Sequence, residues 1–298
     1  METKKQVEVQ WDFLETTLDR HVVAKSTYNE QGKYPCDEGT RIAELANIKK
    51  WLNSISSDSQ NFLWLTRDPG CGKSAITASV TRHCKDNGTL WAQFFINQNN
   101  RETTDPNSYF PTIARQLADR SLDVQCAIYD SISQQRSLMD FISAQQVAKL
   151  FVDALGVASR LDLTELVLVI IDGLDETNRK HLNDTAVIFS CLFKELACYP
   201  NVKVFISSRT EDDIQNPFAR NLKVEYVKHV HLDTAASLGD VSSFLRRKVA
   251  HIVKRNDLNW GIWLGEEQMS MLATQASGLF IWAVTVTKFL QEQINEYV

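Results

Sequence analysis

The stretch Phe62-Leu-Trp-Leu-Thr-Arg67-Asp-Pro-Gly-Cys-Gly-Lys73-Ser74 decides the fold that we expect for this chain. A short apolar run leads into a glycine-containing turn, and a helix is predicted to begin at Lys73. In this order of strand, loop and helix, backbone N–H groups cradle phosphate groups at the helix N-terminus, where the helix dipole favours an anion. The stretch therefore predicts a binding site for nucleotide phosphates.

The loop supplies a residue for each part of that chemistry. Lys73 is expected to reach the β- and γ-phosphates, and the hydroxyl of Ser74 is expected to ligate Mg²⁺. The alternative is that Gly-Cys-Gly-Lys-Ser is an ordinary glycine-containing turn before a helix. The cofactor-binding residues predicted in the loop are Asp68, Pro69, Gly70, Cys71, Gly72, Lys73, Ser74 and Ala75.

Arg67 departs from the pattern G-x-x-x-x-G-K-[ST] of phosphate-binding loops, which has glycine at this position. If the turn needs positive φ there, a non-glycine residue costs about 1–2 kcal/mol, and its side chain must find room beside the phosphates. Two expectations follow and stay open: the affinity of the loop is reduced, or Arg67 itself contacts the nucleotide.

A second motif follows the apolar run at 166–171, where the chain reads Asp172-Gly-Leu-Asp-Glu176. Acidic residues at the carboxyl end of a central strand lie where open α/β sheets bind ligands. Asp172 is therefore predicted to hold Mg²⁺ opposite Ser74. Glu176 is the predicted catalytic residue that orients or deprotonates a water molecule, with Asp175 as the second candidate. The alternative, a solvated acidic turn, is disfavoured because both halves of the site occur in the right order.

A third strand-like run, Val202-Lys-Val-Phe-Ile-Ser-Ser-Arg209, ends in hydroxyl groups and an arginine. In a parallel sheet its tip would lie near Asp172, so Arg209 is a candidate to sense or stabilise the γ-phosphate. Arg209 could equally pair with Glu211, Asp212 or Asp213 on a loop, and the sequence favours neither role.

Uninterrupted apolar runs alternate with helical patterns along most of the chain, which is typical of a parallel sheet buried on both faces. The predicted fold class is α/β, a P-loop NTPase with a parallel central sheet flanked by helices and a small C-terminal helical lobe. The predicted domains are an N-terminal helix and linker (1–25), a nucleotide-binding domain (26–232) and the helical lobe (233–298). The predicted strands are 62–65, 90–96, 166–171, 202–207 and 224–232.

Two helices are predicted before the first strand. In the first, apolar residues recur every three or four positions, and the sequence does not say whether the partner of this stripe lies within the chain. In the second, Thr40 is the expected cap. The stripe of the first helix is Val7, Trp11, Leu14, Leu18 and Val22, and that of the second is Ile42, Leu45, Ile48, Lys49 and Leu52.

Composition excludes several classes of function. The 298 residues carry a formal net charge of −5, which gives no general attraction to nucleic acids or anionic membranes. The six cysteines are scattered without metal-ligand spacing, so we expect reduced thiols and no zinc site. The sequence shows neither a signal peptide nor an apolar run long enough to cross a bilayer, so a cytoplasmic protein without a membrane span is expected.

With these residues in hand, the chain resembles NACHT-type NTPases of the STAND class, in particular fungal, nephrocystin-type N-terminal NACHT modules. The hallmark of that family is a small residue after the Mg-binding aspartate and an acidic pair two positions further on, which Asp172-Gly-Leu-Asp-Glu176 matches. Further matches are Gly39-Thr-Arg41-Ile-Ala-Glu44, Phe94-Phe95, Pro111-Thr-Ile-Ala-Arg-Gln-Leu117, Ser207-Ser-Arg209 with Glu211, and Ala276-Ser-Gly-Leu-Phe-Ile-Trp282-Ala.

The resemblance implies roles for two further segments. Arg41 and Glu44 would bind on the adenine side of the pocket, although a salt-bridged helix start explains them equally well. The segment Gly278-Leu-Phe-Ile-Trp282 is expected only to pack the core of the helical lobe.

The resemblance also implies a function: a module that binds ATP (or GTP) with Mg²⁺, hydrolyses it slowly and switches between states in innate-immunity or incompatibility-like signalling. Self-association through the NTPase domain is implied as well. Members usually carry an effector domain before this region, and a winged-helix region and a repeat array after it, so we expect a fragment or a truncated paralogue. Two other hypotheses remain, a nucleotide-free scaffold whose loop Arg67 has disabled and a P-loop kinase for a small acceptor.

Overall fold

The computed structural model describes residues 2–56, 60–140, 142–221, 227–256 and 264–297. Five strands form a single parallel sheet in the order β2-β3-β4-β1-β5. The predicted α/β class is confirmed, and each predicted strand is present to within a few residues, apart from 224–226, which lie outside the described residues. The strands are β1 (Phe62–Thr66), β2 (Leu90–Phe95), β3 (Val167–Asp172), β4 (Val202–Ser208) and β5 (Val227–His231).

Helices cover both faces of the sheet and continue into a C-terminal lobe. Those that precede β5 are α1 (Glu2–Leu18), α2 (Ile42–Leu52), α3 (Lys73–Asp86), α4 (Arg101–Thr104), α5 (Tyr109–Arg120), α6 (Leu122–Gln134), α7 (Ala144–Val147), α8 (Asp153–Leu161), α9 (Leu182–Glu195) and α10 (Asp212–Asn221). A π-helical turn, Ala148–Val152, joins α7 to α8. The helices after β5 are α11 (Thr234–Arg255), α12 (Glu266–Ala276) and α13 (Phe280–Tyr297).

The sheet separates two hydrophobic cores. Strands β1, β3 and β4 are buried at every residue, as their unbroken apolar runs predict. Because successive side chains of a strand point to opposite faces, Phe62 and Trp64 enter the first core and Leu63 and Leu65 the second. Helices α1, α5, α6, α8 and α9 cover the first core, and α2 and α3 cover the second.

The order of the strands gathers the predicted site at one edge. Because all strands run parallel, the residues that follow β1, β3 and β4 lie at the same edge of the sheet. Strand β1 lies between β4 and β5. After β1 the chain crosses to β2, at one edge of the sheet, and after β4 it passes to β5, on the opposite side of β1. Such a reversal of strand order opens a crevice at the carboxyl ends of the strands.

The N-terminal helix α1 is part of the first core. Leu14 and Leu18 are fully buried there, and α1 packs on α5 and α6. Arg115 of α5 lies 4.0 Å from the centroid of the Trp11 ring and 3.2 Å from a carboxylate oxygen of Asp19. The partner of the predicted stripe therefore lies within the chain. Helix α1 ends at Leu18, so Val22 of the predicted stripe follows the helix, although it still packs against the first core. The side chain of Val7 lies outside the described residues.

The predicted N-terminal cap of α2, Thr40, is wrong. The hydroxyl of Thr40 donates to the carbonyl of Asp37 at 2.7 Å instead of capping the helix. The capping position belongs to Arg41, which has a left-handed backbone with φ 57° and makes no side-chain capping bond. The predicted stripe is confirmed in part: Ile48 and Leu52 are buried and Leu45 packs against the second core, whereas Ile42 and Lys49 are exposed. Trp51, which was not predicted, is buried as well.

Helices α11, α12 and α13 share a third hydrophobic cluster. Phe244 and Leu245 of α11 pack there with Met269 of α12 and Ala283 of α13. The lobe that the sequence predicts after residue 232 is thus present, whereas the exact domain boundaries stay a prediction. The connection that holds Trp260 and Trp263 lies outside the described residues. Within the described ranges, no helix combines the length and apolarity that a membrane span requires.

Replacing Leu18 by alanine tests whether α1 belongs to the folded unit. We expect the Leu18→Ala variant to lose about 2–5 kcal/mol of unfolding free energy, because a fully buried leucine loses its packing and leaves a cavity. Urea unfolding measures the loss. Val9→Ala is the matched control on the same helix, since Val9 is 57% exposed and should change the value by no more than about 0.5 kcal/mol. Equal stability of the two variants would show that α1 is not part of the core.

Candidate functional site

The predicted phosphate loop connects the end of β1 to the start of α3 at Lys73. Gly70 has φ +79° and Gly72 has φ +88°, a left-handed region that side chains disfavour. A Cβ atom on Gly70 would also clash with the side chain of Ile281. The glycines of the motif are therefore required both by the turn and by a close neighbour.

Arg67 does not strain the loop. Among the described non-glycine residues, only Arg41 and Ser277 have positive φ, so the expectation of a conformational cost at position 67 is wrong. The Arg67 side chain is buried, and its Nη1 donates to the carbonyl of Leu232, just beyond β5. Its Nε lies 3.9 Å from a carboxylate oxygen of Asp68. The arginine thus joins the start of the loop to the end of β5.

Lys73 lies folded along the loop that precedes it. Its Nζ donates to the carbonyl of Arg67 at 2.7 Å and to that of Asp68 at 3.2 Å. Burial lowers the pKa of Lys73, and the carboxylates of Asp175 and Asp172 oppose this shift. The charge of Lys73 therefore lies close enough to the acidic motif to interact with it, at the same edge of the sheet. Of the other predicted loop residues, Asp68 and Pro69 are exposed, Cys71 is buried, and Ser74 and Ala75 are half-buried in the first turn of α3.

Asp172 ends β3 and is fully buried. Its Oδ1 accepts a hydrogen bond from the hydroxyl of Ser207 on β4. Its Oδ2 has no hydrogen-bond partner in the described part of the chain. An unpaired buried carboxylate oxygen is costly, and carboxylate oxygens are ligands that Mg²⁺ takes. Asp172 therefore fits the predicted role of metal ligand.

Gly173 explains why a small residue follows Asp172. Its φ is +79°, and a Cβ atom here would lie 3.1 Å from the carbonyl oxygen of Ile96, beyond β2. Its N–H group donates to the carbonyl of Ser207 at 3.2 Å and to the Ser207 hydroxyl at 3.0 Å. The chain after β3 thus passes tightly between the ends of its two neighbouring strands.

Asp175 and Arg209 form a close pair. Nε of Arg209 lies 2.9 Å from Oδ2 of Asp175, and the Arg209 N–H donates to Oδ1 at 2.8 Å. Nη1 of Arg209 also lies 3.9 Å from a carboxylate oxygen of Glu211. Arg209 therefore lies beside the acidic motif, as the parallel sheet predicts, and it also makes the alternative ion pair with Glu211. Because Arg209 engages both oxygens of Asp175, Glu176 is the better candidate for a base.

Glu176 is held by two residues that the sequence did not predict. Its Oε2 accepts from the N–H group of Gln98 at 2.8 Å, and its Oε1 lies 3.8 Å from Nζ of Lys33. Burial raises the pKa of Glu176, while Lys33 and the Gln98 bond lower it. Gln98 could have been found, because it follows β2 and the ends of parallel strands share one edge. Lys33 lies in a polar loop whose sequence carries no such signal.

Arg41 and Glu44 lie close to the phosphate loop. Nη1 of Arg41 is 2.8 Å from a carboxylate oxygen of Glu44, so the salt-bridged helix start is present. Nη2 of Arg41 donates to the carbonyl of Cys71 at 2.7 Å. The implied role of the two residues on the adenine side of a pocket stays a prediction.

The segment Gly278-Leu-Phe-Ile-Trp282 does more than pack the lobe. Ile281, in the first turn of α13, donates its N–H group to the carbonyl of Gly70 at 3.1 Å. The Phe280 ring lies 3.5 Å from the place of a Cβ atom on Gly72. The expectation that this segment serves core packing alone is wrong, because its first residues contact the phosphate loop.

The model of the family described as "Nephrocystin 3, N-terminal" matches residues 37–209, more than half of the chain. The chain belongs to this family. The match includes every predicted site residue, from Arg41 to Arg209. It also includes Gln98, whereas Lys33 and the helical lobe lie outside it. No curated protein matches the sequence.

Solved structures resemble this family member only in overall fold. A DNA replication initiation factor has 12% identity and a TM-score of 0.42, over 93% of this chain and 68% of that one. The Walker-type ATPase of Pyrococcus abyssi has 11% identity and a TM-score of 0.41, over 89% and 78%. AMPPCP-bound DnaA from Aquifex aeolicus has 13% identity and a TM-score of 0.37, over 85% of this chain and 61% of DnaA.

Replacing Arg67 by glycine would restore the common loop pattern, yet we expect it to destabilise the protein. The variant loses a buried charge-assisted hydrogen bond to Leu232, which is worth about 1.5–3 kcal/mol. Asp68→Gly is the control, because it adds the same backbone freedom beside Arg67 and removes only the 3.9 Å contact of Arg67 with a side chain that is 72% exposed. Urea unfolding of both variants measures the difference. If Arg67→Gly were as stable as Asp68→Gly, the Leu232 contact would contribute nothing.

Proposed function

We propose that this chain is a nucleotide-binding module that holds ATP with Mg²⁺, hydrolyses it slowly and acts as a signalling switch. One observation carries the proposal: Oδ2 of buried Asp172, which has no hydrogen-bond partner among the described residues, lies at the same edge of one parallel sheet as the loop that precedes α3. A helix N-terminus with a lysine binds phosphate, and an unpaired carboxylate oxygen binds a cation. Together they suit a nucleotide that carries both.

The residues of the loop would hold the phosphates. The N–H groups of the loop and of the first turn of α3 supply donors, and the helix dipole favours the negative charge. Lys73 would exchange its bonds to the carbonyls of Arg67 and Asp68 for bonds to phosphate oxygens. Burial lowers the pKa of Lys73, so a phosphate would restore the environment that its charge prefers.

The acidic motif would supply the remaining chemistry. Ser74 and Asp172 would hold Mg²⁺, which offsets phosphate charge and polarises the phosphoryl group. Glu176 would take a proton from the attacking water, and its raised pKa brings its basicity closer to neutral pH. Arg209 would face the γ-phosphate while Asp175 fixes its orientation.

The finer parts of the proposal concern signalling. We infer that the bound state, rather than the product, is the signal, because it would set the arrangement of the sheet domain (26–232) and the helical lobe (233–298). A preference for ATP over GTP, a cytoplasmic location and self-association through the NTPase domain belong to this proposal. The rival scaffold function assumed that Arg67 disables the loop, and the unstrained backbone at Arg67 weakens that assumption.

Titration of the purified chain with a fluorescent ATP analogue in Mg²⁺ tests the proposal. We expect saturable binding that weakens at least about tenfold in Lys73→Ala, equivalent to about 1.4 kcal/mol, because the phosphates lose their cation. Lys85→Ala is the matched control, since it removes an exposed lysine from the last turn of the same helix. Binding that is absent, or equally strong in all three proteins, would refute the phosphate site.

The pH dependence of hydrolysis tests Glu176 as the base. A base must be ionised, so the rate should fall as the pH drops through the pKa of Glu176, which lies above that of an ordinary glutamate. Lys33→Met should shift this acid limb to higher pH, because the lysine charge favours the ionised carboxylate. A kcat profile of this variant beside Lys85→Met measures the shift. If the acid limb of the profile does not move, Lys33 and Glu176 do not control the rate of hydrolysis.

A further inference from the structure

Arg41 has an unusual backbone and an unusual burial. Its φ is 57° and its ψ is 29°, a left-handed conformation that residues with a Cβ atom rarely adopt. It is only 1% exposed, and it is among the largest fully buried side chains of the described residues. Strained residues persist where the surrounding structure holds them in place, and they concentrate at ligand clamps and switch regions. The contacts of Arg41 show what holds it.

On one side, Arg41 holds a carbonyl group of the phosphate loop. Its Nη2 donates to the carbonyl of Cys71 at 2.7 Å. In a trans peptide the C=O and N–H groups point in opposite directions. A guanidinium that binds the Cys71 oxygen therefore turns the N–H group of Gly72 away from itself, towards the other side of the loop. The contact thus orients an N–H group that would donate a hydrogen bond to phosphate, although Arg41 itself would not contact the phosphate.

The helical lobe holds the preceding peptide in the same way. The N–H group of Ile281 donates to the carbonyl of Gly70 at 3.1 Å, which turns the N–H group of Cys71 to the opposite side. The first N–H groups of a helix have no partner within the helix, so α13 has this donor available. Two consecutive carbonyl groups of the loop are thus bound from the side of Arg41 and the lobe.

On its other side, Arg41 contacts two helices of the lobe. The same Nη2 donates to the hydroxyl of Ser237 on α11 at 2.8 Å, and the Arg41 N–H group donates to Oδ2 of Asp240 at 3.0 Å. Its guanidinium carbon lies 5.1 Å from the centroid of the Phe280 ring at the start of α13. One buried side chain therefore joins the loop to both α11 and α13.

We propose that Arg41 is a positioning residue that couples the phosphate loop to the helical lobe. It fixes the Gly72 peptide and holds α11 and α13 against the loop, so that phosphate binding tightens the lobe. The direction follows from hydrogen-bond cooperativity: a peptide whose N–H group donates to a phosphate becomes a stronger acceptor at its carbonyl. Phosphate on the N–H groups of Cys71 and Gly72 strengthens the bonds to Ile281 and Arg41. This inference rests on the proposed nucleotide binding.

The coupling is reciprocal. If phosphate strengthens the attachment of the lobe, the attached lobe raises the affinity for nucleotide by the same factor. Loss of Arg41 therefore weakens nucleotide binding and also weakens the response of the lobe, whereas loss of Lys73 weakens binding alone. A residue that only stabilised the fold would lower stability without separating these two effects.

Hydrogen–deuterium exchange of residues 279–284, with and without a non-hydrolysable ATP analogue in Mg²⁺, tests the coupling. In the native chain the analogue should slow exchange there, including the Ile281 N–H group that binds Gly70. In Arg41→Ala, at saturating analogue, that protection should be smaller than in the native chain, because only the Ile281 bond remains, and the affinity should be lower by at least about fivefold. Lys248→Ala is the matched control. It breaks the 3.0 Å ion pair with Asp37, another link from α11 to the segment before α2, and leaves the loop contacts in place.

A second variant covers the case in which Arg41→Ala does not fold. Ser237→Ala keeps Arg41 and its bonds to Cys71 and Asp240 but removes the lobe-side acceptor of the guanidinium, so the analogue should bind while the protection at 279–284 falls. Equal protection in the native chain, Ser237→Ala and any folded Arg41 variant, with nucleotide bound, would overturn the coupling and leave the nucleotide site intact. Absence of binding by the native chain would overturn the proposed function and this inference with it.

Discussion

The parallel hydrogen bonding of β1 between β4 and β5 is the constraint on which the site depends. Because β1, β3 and β4 are buried at every residue, they must pair with one another and be covered on both faces. Parallel pairing then brings all their carboxyl ends to one edge. The phosphate loop, the acidic motif and Arg209 lie together for this reason, although up to about 140 residues separate them along the chain.

Local signals explain what the sequence predicted well. An unbroken apolar run specifies a buried strand, and the glycines of the loop specify a turn with positive φ. The same kind of signal was available but unused between residues 119 and 165, where Val124, Ile128 and Ile132 recur every four positions and are buried in α6. Apolar residues at this spacing are sufficient to predict the helix.

Other features could not be predicted because they arise from contacts between distant segments. The ion pair of Lys33 with Glu176 and the hydrogen bond from Ile281 to Gly70 join residues more than 140 positions apart. No local pattern encodes such a contact. The expected strain at Arg67 failed for a related reason, since a motif records which residue is usual but not which φ the turn requires. Among the described non-glycine residues, the left-handed backbone belongs to Arg41 and Ser277, which no motif marked as unusual.

The hydrogen bond from Arg67 to Leu232 has a mechanical consequence. Leu232 lies two residues before the start of α11. The Arg67 side chain therefore joins the first residue of the phosphate loop to the chain just before that helix. Near the other end of the loop, Arg41 donates a hydrogen bond to the carbonyl of Cys71. Arg41 is itself hydrogen-bonded to α11. The loop is therefore attached near both of its ends to α11 or to the residues just before it. A displacement of α11 would therefore act on the loop at both Arg67 and Cys71.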